Sequence, residues 1–156
     1  MSTPVQAALS EMELTRIIHA PRALVWSAWT NINQLQQWWG PKHFTNPRCE
    51  ADFRVGGAIH IDMRAPDGTL YPMGGEFEEI DPPKRLVFLS SALDPNGDPI
   101  FTNRNSVTFR EADGNTEIAI HVRVVKTTGE AWQYLKGMRE GWSLSLDKLA
   151  TLVETH

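Results

Sequence analysis

Apolar and polar residues alternate almost without a break from residue 48 to residue 124, and this pattern constrains the fold more than any other feature of the chain. Alternation with a period of two is typical of β-strands that have one buried and one solvated face. Short segments rich in Gly, Pro, Asn and Asp interrupt the pattern at residues 65–68, 81–84, 94–97 and 112–115. Because such segments favour tight turns, we expect several antiparallel hairpins in series.

The turns also predict how neighbouring strands pair. If the first turn closes a hairpin, Ile61 lies opposite Met73 on an apolar face. By the same reasoning across the last turn, Phe109 lies opposite Ile118. The other face is polar and is expected to be solvated, and its residues are His60, Asp62, Glu117, His121 and Arg123.

Helical patterns flank these strands. After a first strand at residues 13–19, apolar residues recur at helical spacing over residues 22–30 and again over residues 32–39. A longer amphipathic pattern over residues 127–154 predicts a helix of about 39 Å. The order of one strand, two short helices, six strands and one long helix predicts an α+β fold, with the helices on one side of an antiparallel sheet.

Size, charge and cysteine content limit the possible functions. The 156 residues suit one domain, expected at residues 11–156 after a flexible leader at residues 1–10. The net charge of -4, without long Lys/Arg runs, argues against nucleic acid and membranes as partners. Cys49 is the single cysteine, which excludes an intrachain disulfide and favours a cytoplasmic location.

Several short motifs occur in the order found in a known family. They are APRALVWSAWT at residues 20–30, QWWGP at 37–41, PDG at 66–68, GEFEEIDPPKRL at 75–86 and GW at 141–142. Through these motifs the chain resembles the activator of heat-shock-protein-90 ATPase homologue-like family, within the START/Bet v 1-like (SRPBCC) superfamily. The resemblance implies a helix-grip fold, in which a curved antiparallel sheet wraps a long C-terminal helix and leaves a cavity between them.

The resemblance does not imply a single activity, because its members and relatives include a co-chaperone domain linked to the stress response, antibiotic-sequestering proteins and polyketide-processing proteins. Our leading hypothesis is that the chain binds a small hydrophobic or aromatic molecule without turnover. Two alternatives stay open: a protein-interaction module that contacts a chaperone or other protein, and a cyclase-like or hydrolytic enzyme. A homodimer is also compatible with the sequence.

Aromatic and methionine side chains on the predicted inner faces are the candidates for a ligand site. Aromatic walls supply contact area at little entropic cost, and methionine adapts to varied apolar shapes. An ordinary packed core is the alternative interpretation. The candidates are Trp38, Trp39, His43, Phe44, Ile61, Met63, Tyr71, Met73, Phe88, Phe101, Trp132, Leu135, Met138 and Trp142.

For four residues in or near this set, the sequence predicts a more specific structural role. Tyr71, if it points inward, brings a hydroxyl group that orients a ligand. Phe101 lies in a segment, residues 90–105, that we interpret as a long loop, and it is predicted to fold over the cavity as a lid. Gly137 and Gly141 indicate that the long helix bends or closely approaches another element.

No catalytic residue, metal site or cofactor is expected. His60 and Asp62 share the predicted solvated face, so a ligand contact is more plausible for His43, beside the expected opening of the cavity. Cys49 alternates with apolar residues, which favours a buried and inert thiol. The sequence also contains none of the standard catalytic motifs.

Overall fold

A computed structural model describes residues 11–127 and 131–154, except for the side chains of residues 131–136. The predicted leader and the side chains of Trp132 and Leu135 therefore lie outside the described residues. Within that range, the elements in chain order are β1 (Glu11–Ile18), α1 (Arg22–Thr30), α2 (Ile32–Trp38), β2 (Thr45–Ala51), β3 (Ala58–Arg64), β4 (Leu70–Asp81), β5 (Arg85–Leu93), β6 (Pro99–Ala112), β7 (Asn115–Thr127) and α3 (Ala131–Glu154).

The strands form a curved antiparallel sheet in the order β1-β7-β6-β5-β4-β3-β2. Its register is the predicted one, since Ile61 pairs with Met73 and Phe109 pairs with Ile118. The buried members of the alternating pattern join residues of all three helices in one hydrophobic core. The predicted α+β class and helix-grip fold are therefore confirmed.

Gly75 lets β4 and β5 approach each other closely. A Cβ atom at this position would lie 1.9 Å from the carbonyl oxygen of Leu89, so another residue requires a backbone shift. The register of the same strand shifts between Phe77 and Glu79, which marks a bulge. Because bulges increase local twist, these features together favour the curvature of the sheet.

The segment predicted to be a long loop, residues 90–105, is instead a hairpin formed by β5 and β6. Asp94 closes its turn, because Oδ1 accepts hydrogen bonds from the backbone N–H groups of Asn96 and Asp98, both at 2.9 Å. Phe101 consequently lies within β6, where it lines the cavity, and the interpretation of this segment as a loop was wrong. The Pro and Gly residues of this segment form the turn and the start of one strand, and they do not prevent pairing on either side.

The two short helices are joined by a tryptophan side chain. The Asn31 side chain caps α2 by accepting a hydrogen bond from the N–H of Asn33 at 3.0 Å. At the other end of α2, the indole N–H of Trp38 donates to the carbonyl oxygen of Ala28 in α1 at 2.8 Å. The bond satisfies the polar atom of a fully buried side chain and holds the two helices together.

The C-terminal helix is anchored through its second half. Leu146 and Leu149 are fully buried there, and Val153 is nearly so. Asp147 on the outer side forms an ion pair with Arg16 of β1. The first half of α3 is separated from the sheet by a cavity.

Candidate functional site

A cavity of about 650 Å³ lies between the first half of α3 and the strands β3 to β6. Met138 and Trp142 form part of its helix side, and both side chains are only half-buried. The lining residues are Trp39, Gly40, Pro41, Phe44, Met63, Tyr71, Pro72, Met73, Ser90, Ala92, Ile100, Phe101, Asn103, Asn105, Gly137, Met138, Gly141, Trp142 and Ser145.

Several predicted site residues meet in this cavity. Trp39 and Trp142 contact each other edge to face, with ring centroids 5.3 Å apart at an interplanar angle of 81°. Tyr71 lies on the same face of β4 as Met73 and lines the cavity, as predicted, but it is 48% exposed and therefore stands at the rim. The predicted residues that line the cavity are Trp39, Phe44, Met63, Tyr71, Met73, Phe101, Met138 and Trp142.

Other predicted site residues lie elsewhere. Trp38, Ile61 and Phe88 belong to the core next to the cavity, and each is at most 2% exposed. Trp38 packs against Trp29, with ring centroids 4.7 Å apart. His43 is exposed in the turn after α2 and is not among the lining residues. For these residues the structure favours a core or surface position over direct contact with the contents of the cavity.

Sequence reasoning missed the polar residues of the cavity wall. Asn103 and Asn105 lie on the same face of β6 as the buried Phe109, and Ser90 lies on the same face of β5 as Phe88. The alternation that directs apolar side chains inward therefore directs these three inward as well. Their signal was present in the sequence, as polar residues at core positions of two paired strands.

Ser90, Asn103 and Asn105 lie together on the mostly apolar sheet side of the cavity. We call these three residues the polar patch. The Asn105 Nδ2 group donates to the Phe88 carbonyl oxygen at 3.2 Å and to Ser90 Oγ at 2.8 Å. Within the described part of the chain, the Asn103 Nδ2 group reaches only the sulfur of Met138, at 3.7 Å. Asn103 Oδ1 is buried and has no hydrogen-bond partner among the described residues.

Lys148 of α3 holds the chain segment that borders the cavity. Its ammonium group lies 3.3 Å from the carbonyl oxygen of Gly40 and 3.4 Å from that of Trp39. It also lies 3.5 Å from the carbonyl oxygens of Pro41 and Phe44. Burial lowers the pKa of Lys148 from the ordinary value of 10.5. The contacts fasten residues 39–44 to the helix, which fixes one edge of the cavity.

Reactive groups lie outside the cavity or at its edge. Tyr71 is the only ionisable residue among the described lining residues. His60 and Asp62 contact each other at 3.0 Å, and neither lines the cavity. Burial raises the pKa of the Cys49 thiol to about 11, so the thiol is protonated at neutral pH. Among the described residues, no group of His, Cys, Asp and Glu side chains is arranged to hold a metal ion.

A curved sheet, a C-terminal helix held at one half and a largely apolar cavity under the other half define a helix-grip domain of the ligand-binding or co-chaperone type. Residues 19–154 match the family described as activator of Hsp90 ATPase homolog 1-like protein. The match covers most of the chain, and the protein belongs to this family, as the sequence motifs predicted.

Solved structures with the same fold support this assignment. A protein of Nitrosomonas europaea is 26% identical, with a TM-score of 0.80 over 95% of this chain and 96% of that chain. A protein of Mycobacterium smegmatis is also 26% identical, with a TM-score of 0.82 over 94% of this chain and 92% of that chain. A search of curated proteins finds no match. No helix in the described part of the chain is long and apolar enough to span a membrane.

Proposed function

We propose that the protein binds a small hydrophobic or aromatic molecule in the cavity under α3, without chemical turnover. The observation that carries this proposal is the size and lining of the cavity. Its volume of about 650 Å³ falls within the range of small-molecule sites. Aromatic rings and methionines line both the helix side, at Trp142 and Met138, and the sheet side, at Met63 and Met73. Such walls favour a flat or flexible apolar guest.

The position of the ionisable groups supports binding without turnover. Acid–base and nucleophilic catalysis require activated side chains within reach of the reacting atoms. Among the described lining residues, Tyr71 alone ionises, and it stands at the rim. A molecule deeper in the cavity is therefore surrounded by groups that suit retention better than reaction.

We place this activity in the single domain predicted at residues 11–156 and in the cytoplasm. The sheet, α3 and the segment after α2 together supply the described walls of the cavity. A reducing location is supported by Cys49, the only cysteine of the chain, whose half-buried thiol has a raised pKa.

The proposal is tested by filling the cavity from both sides. Ala92→Trp on β5 and Met138→Trp on α3 together place two indoles in the space. Binding of the apolar dye N-phenyl-1-naphthylamine, followed by its fluorescence, is expected to weaken about tenfold or more, because burial of the dye drives its binding.

A matched double variant controls for the added tryptophans. Glu111→Trp and Glu140→Trp place the same two side chains on exposed positions of β6 and α3, and the affinity for the dye is expected to stay at the original value. Failure of the original protein to bind the dye would overturn the proposal. Equal affinity of the filled variant, with its fold intact by circular dichroism, would overturn it too.

A further inference from the structure

The polar patch bears on the chemistry of the guest, and this inference rests on the binding function proposed above. Most lining residues are apolar, and polar side chains on such a wall cost free energy unless they are hydrogen-bonded. Asn105 meets this requirement through its contacts with Phe88 and Ser90. Asn103 does not, although only 5% of its surface is exposed.

The amide orientation of Asn103 follows from its surroundings. Its Nδ2 group points to the Met138 sulfur at 3.7 Å, and sulfur is a weak acceptor and not a donor. Turning the amide over would place two acceptors against each other, so the unpartnered atom is the oxygen. Asn103 Oδ1 is therefore a strong acceptor without a donor among the described residues.

Ser90 supplies the complementary group. Ser90 and Asn103 face each other directly across β5 and β6, and both line the cavity. The Ser90 oxygen accepts a hydrogen bond from Asn105 at 2.8 Å, which leaves its O–H proton to donate. One unpartnered acceptor and one hydroxyl donor thus stand side by side on the same wall.

We propose that this wall recognises a neutral hydroxyl group on an otherwise apolar molecule, such as an alcohol or a phenol. The hydroxyl donates its proton to Asn103 Oδ1 and accepts one from Ser90 Oγ, so both groups of the pair are satisfied. Asn103 Oδ1 itself is buried. The terminal torsion of asparagine is soft and Met138 is flexible, so a partial rotation of the amide, with Met138 moving aside, turns the oxygen toward the guest without placing it against the sulfur.

The absence of charge among the neighbouring groups favours a neutral guest. Within the described lining, no Asp, Glu, Lys or Arg faces the space, so neither an ammonium group nor a carboxylate finds a counter-ion. Burying an unpaired charge costs far more than burying a hydroxyl group that is hydrogen-bonded on both sides. The patch therefore selects hydroxyl over charged groups.

Two probes of similar shape test this proposal. Calorimetric titration compares 2-naphthol, which has a hydroxyl, with 2-methoxynaphthalene, in which a methyl group replaces the proton. The ratio of their dissociation constants isolates the hydroxyl contact. In the original protein we expect 2-naphthol to bind about tenfold more tightly, as one satisfied buried acceptor implies.

Variants locate the contact. In Asn103→Leu this preference is expected to fall to about one or below, and in Ser90→Ala to an intermediate value. Ser91→Ala is the control, because Ser91 is next to Ser90 on β5 but does not line the cavity, and its hydroxyl contacts the Thr102 hydroxyl at 2.7 Å. Its ratio is expected to stay unchanged. If Asn103→Leu does not fold, Ser90→Ala and the ratio in the original protein still decide.

Each remaining outcome has a definite meaning. Equal affinity of the original protein for both probes would overturn the hydroxyl proposal while leaving the proposed binding function intact. A preference that survives Asn103→Leu, or that disappears in Ser91→Ala, would overturn the assignment to the polar patch. If the original protein binds neither probe nor the apolar dye, the binding function fails and the hydroxyl proposal fails with it.

Discussion

Two glycines of α3, Gly137 and Gly141, leave space where other residues would place a side chain. Among the described residues, a Cβ atom built at Gly137 meets no heavy atom of another part of the chain within 4 Å, and one at Gly141 meets only Pro41, at 3.9 Å. The close approach that these glycines indicated in the sequence is therefore not found at Gly137. Both line the cavity, so their effect is to enlarge it.

Gly137→Ala is expected to stabilise the protein by up to about 1 kcal/mol, because glycine loses more backbone freedom than alanine when a helix forms. Urea denaturation followed by circular dichroism measures the change. Gly114→Ala is the matched comparison and is expected to destabilise, since Gly114 has a φ of 80° that alanine adopts poorly. A loss of stability in Gly137→Ala would show that the site is more crowded than the structure indicates.

The Cys49 thiol is expected to react slowly with iodoacetamide. Its pKa of about 11, against an ordinary 9.0, lowers the reactive thiolate fraction near pH 8 by about 100-fold relative to the unfolded chain. Mass spectrometry of the alkylated protein, with and without 6 M urea as the unfolding condition, measures the ratio. Since the folded pKa is the higher one, ionisation favours the unfolded state as pH rises from about 9 to about 11. Equal rates in both conditions would contradict the burial of this thiol.

Adjacent residues show why the cavity could only partly be predicted from the sequence. Trp38 and Trp39 are neighbours at the end of α2, yet Trp38 bonds to Ala28 in the core while Trp39 faces the cavity. Composition and spacing treat the two indoles alike, but Trp38 is the last residue of α2 and Trp39 is its extended C-cap residue, so the backbone direction changes between them. Strand parity also predicts that Asn103 and Asn105 point inward, but the predicted inner face included apolar residues only.

The strands and short helices were more predictable than the site, because local chemistry determines them. The observed α1, residues 22–30, has the predicted bounds, and its partner α2 ends one residue earlier than predicted. The register of β3 with β4 and of β6 with β7 next to their turns followed from turn position alone. The turn at residues 94–97 was predicted, but the strand residues beside it were interpreted as a loop, because Pro95, Gly97 and Pro99 spread turn signals around a turn that the Asp94 side chain closes.

The link between α3 and the segment after α2 depends on Lys148. Replacing the ammonium group in Lys148→Met is expected to release residues 39–44 from the helix and to lower stability by about 1 kcal/mol, since these hydrogen bonds are long. Hydrogen exchange of peptides covering the segment should become faster, while exchange in β6 and β7 stays slow.

Lys84→Met provides the control for lost charge, because Lys84 is exposed in the turn between β4 and β5. Its exchange pattern and stability are expected to match those of the original protein. Unchanged protection of residues 39–44 in Lys148→Met would mean that packing alone holds the segment.

At the scale of the whole molecule, binding of a guest in the cavity raises the stability of the folded protein. A guest that binds only the folded state adds stability by mass action, about 2.7 kcal/mol at a free concentration 100 times the dissociation constant. We therefore expect the midpoint of thermal unfolding to rise steadily with added N-phenyl-1-naphthylamine. The rise should be small in the Ala92→Trp/Met138→Trp variant. Equal shifts in both proteins would place dye binding outside the cavity.

Because α3 is anchored at one end, the residues that stabilise the fold differ from the residues that shape the cavity. Leu146, Leu149 and Val153 anchor the helix at one end. The glycines and half-buried side chains at the other end therefore contribute little to the stability of the fold. Substitutions at Gly137, Met138 or Gly141 can then change the shape of the cavity without disrupting the fold. A scaffold divided in this way can be adapted to new guests one position at a time.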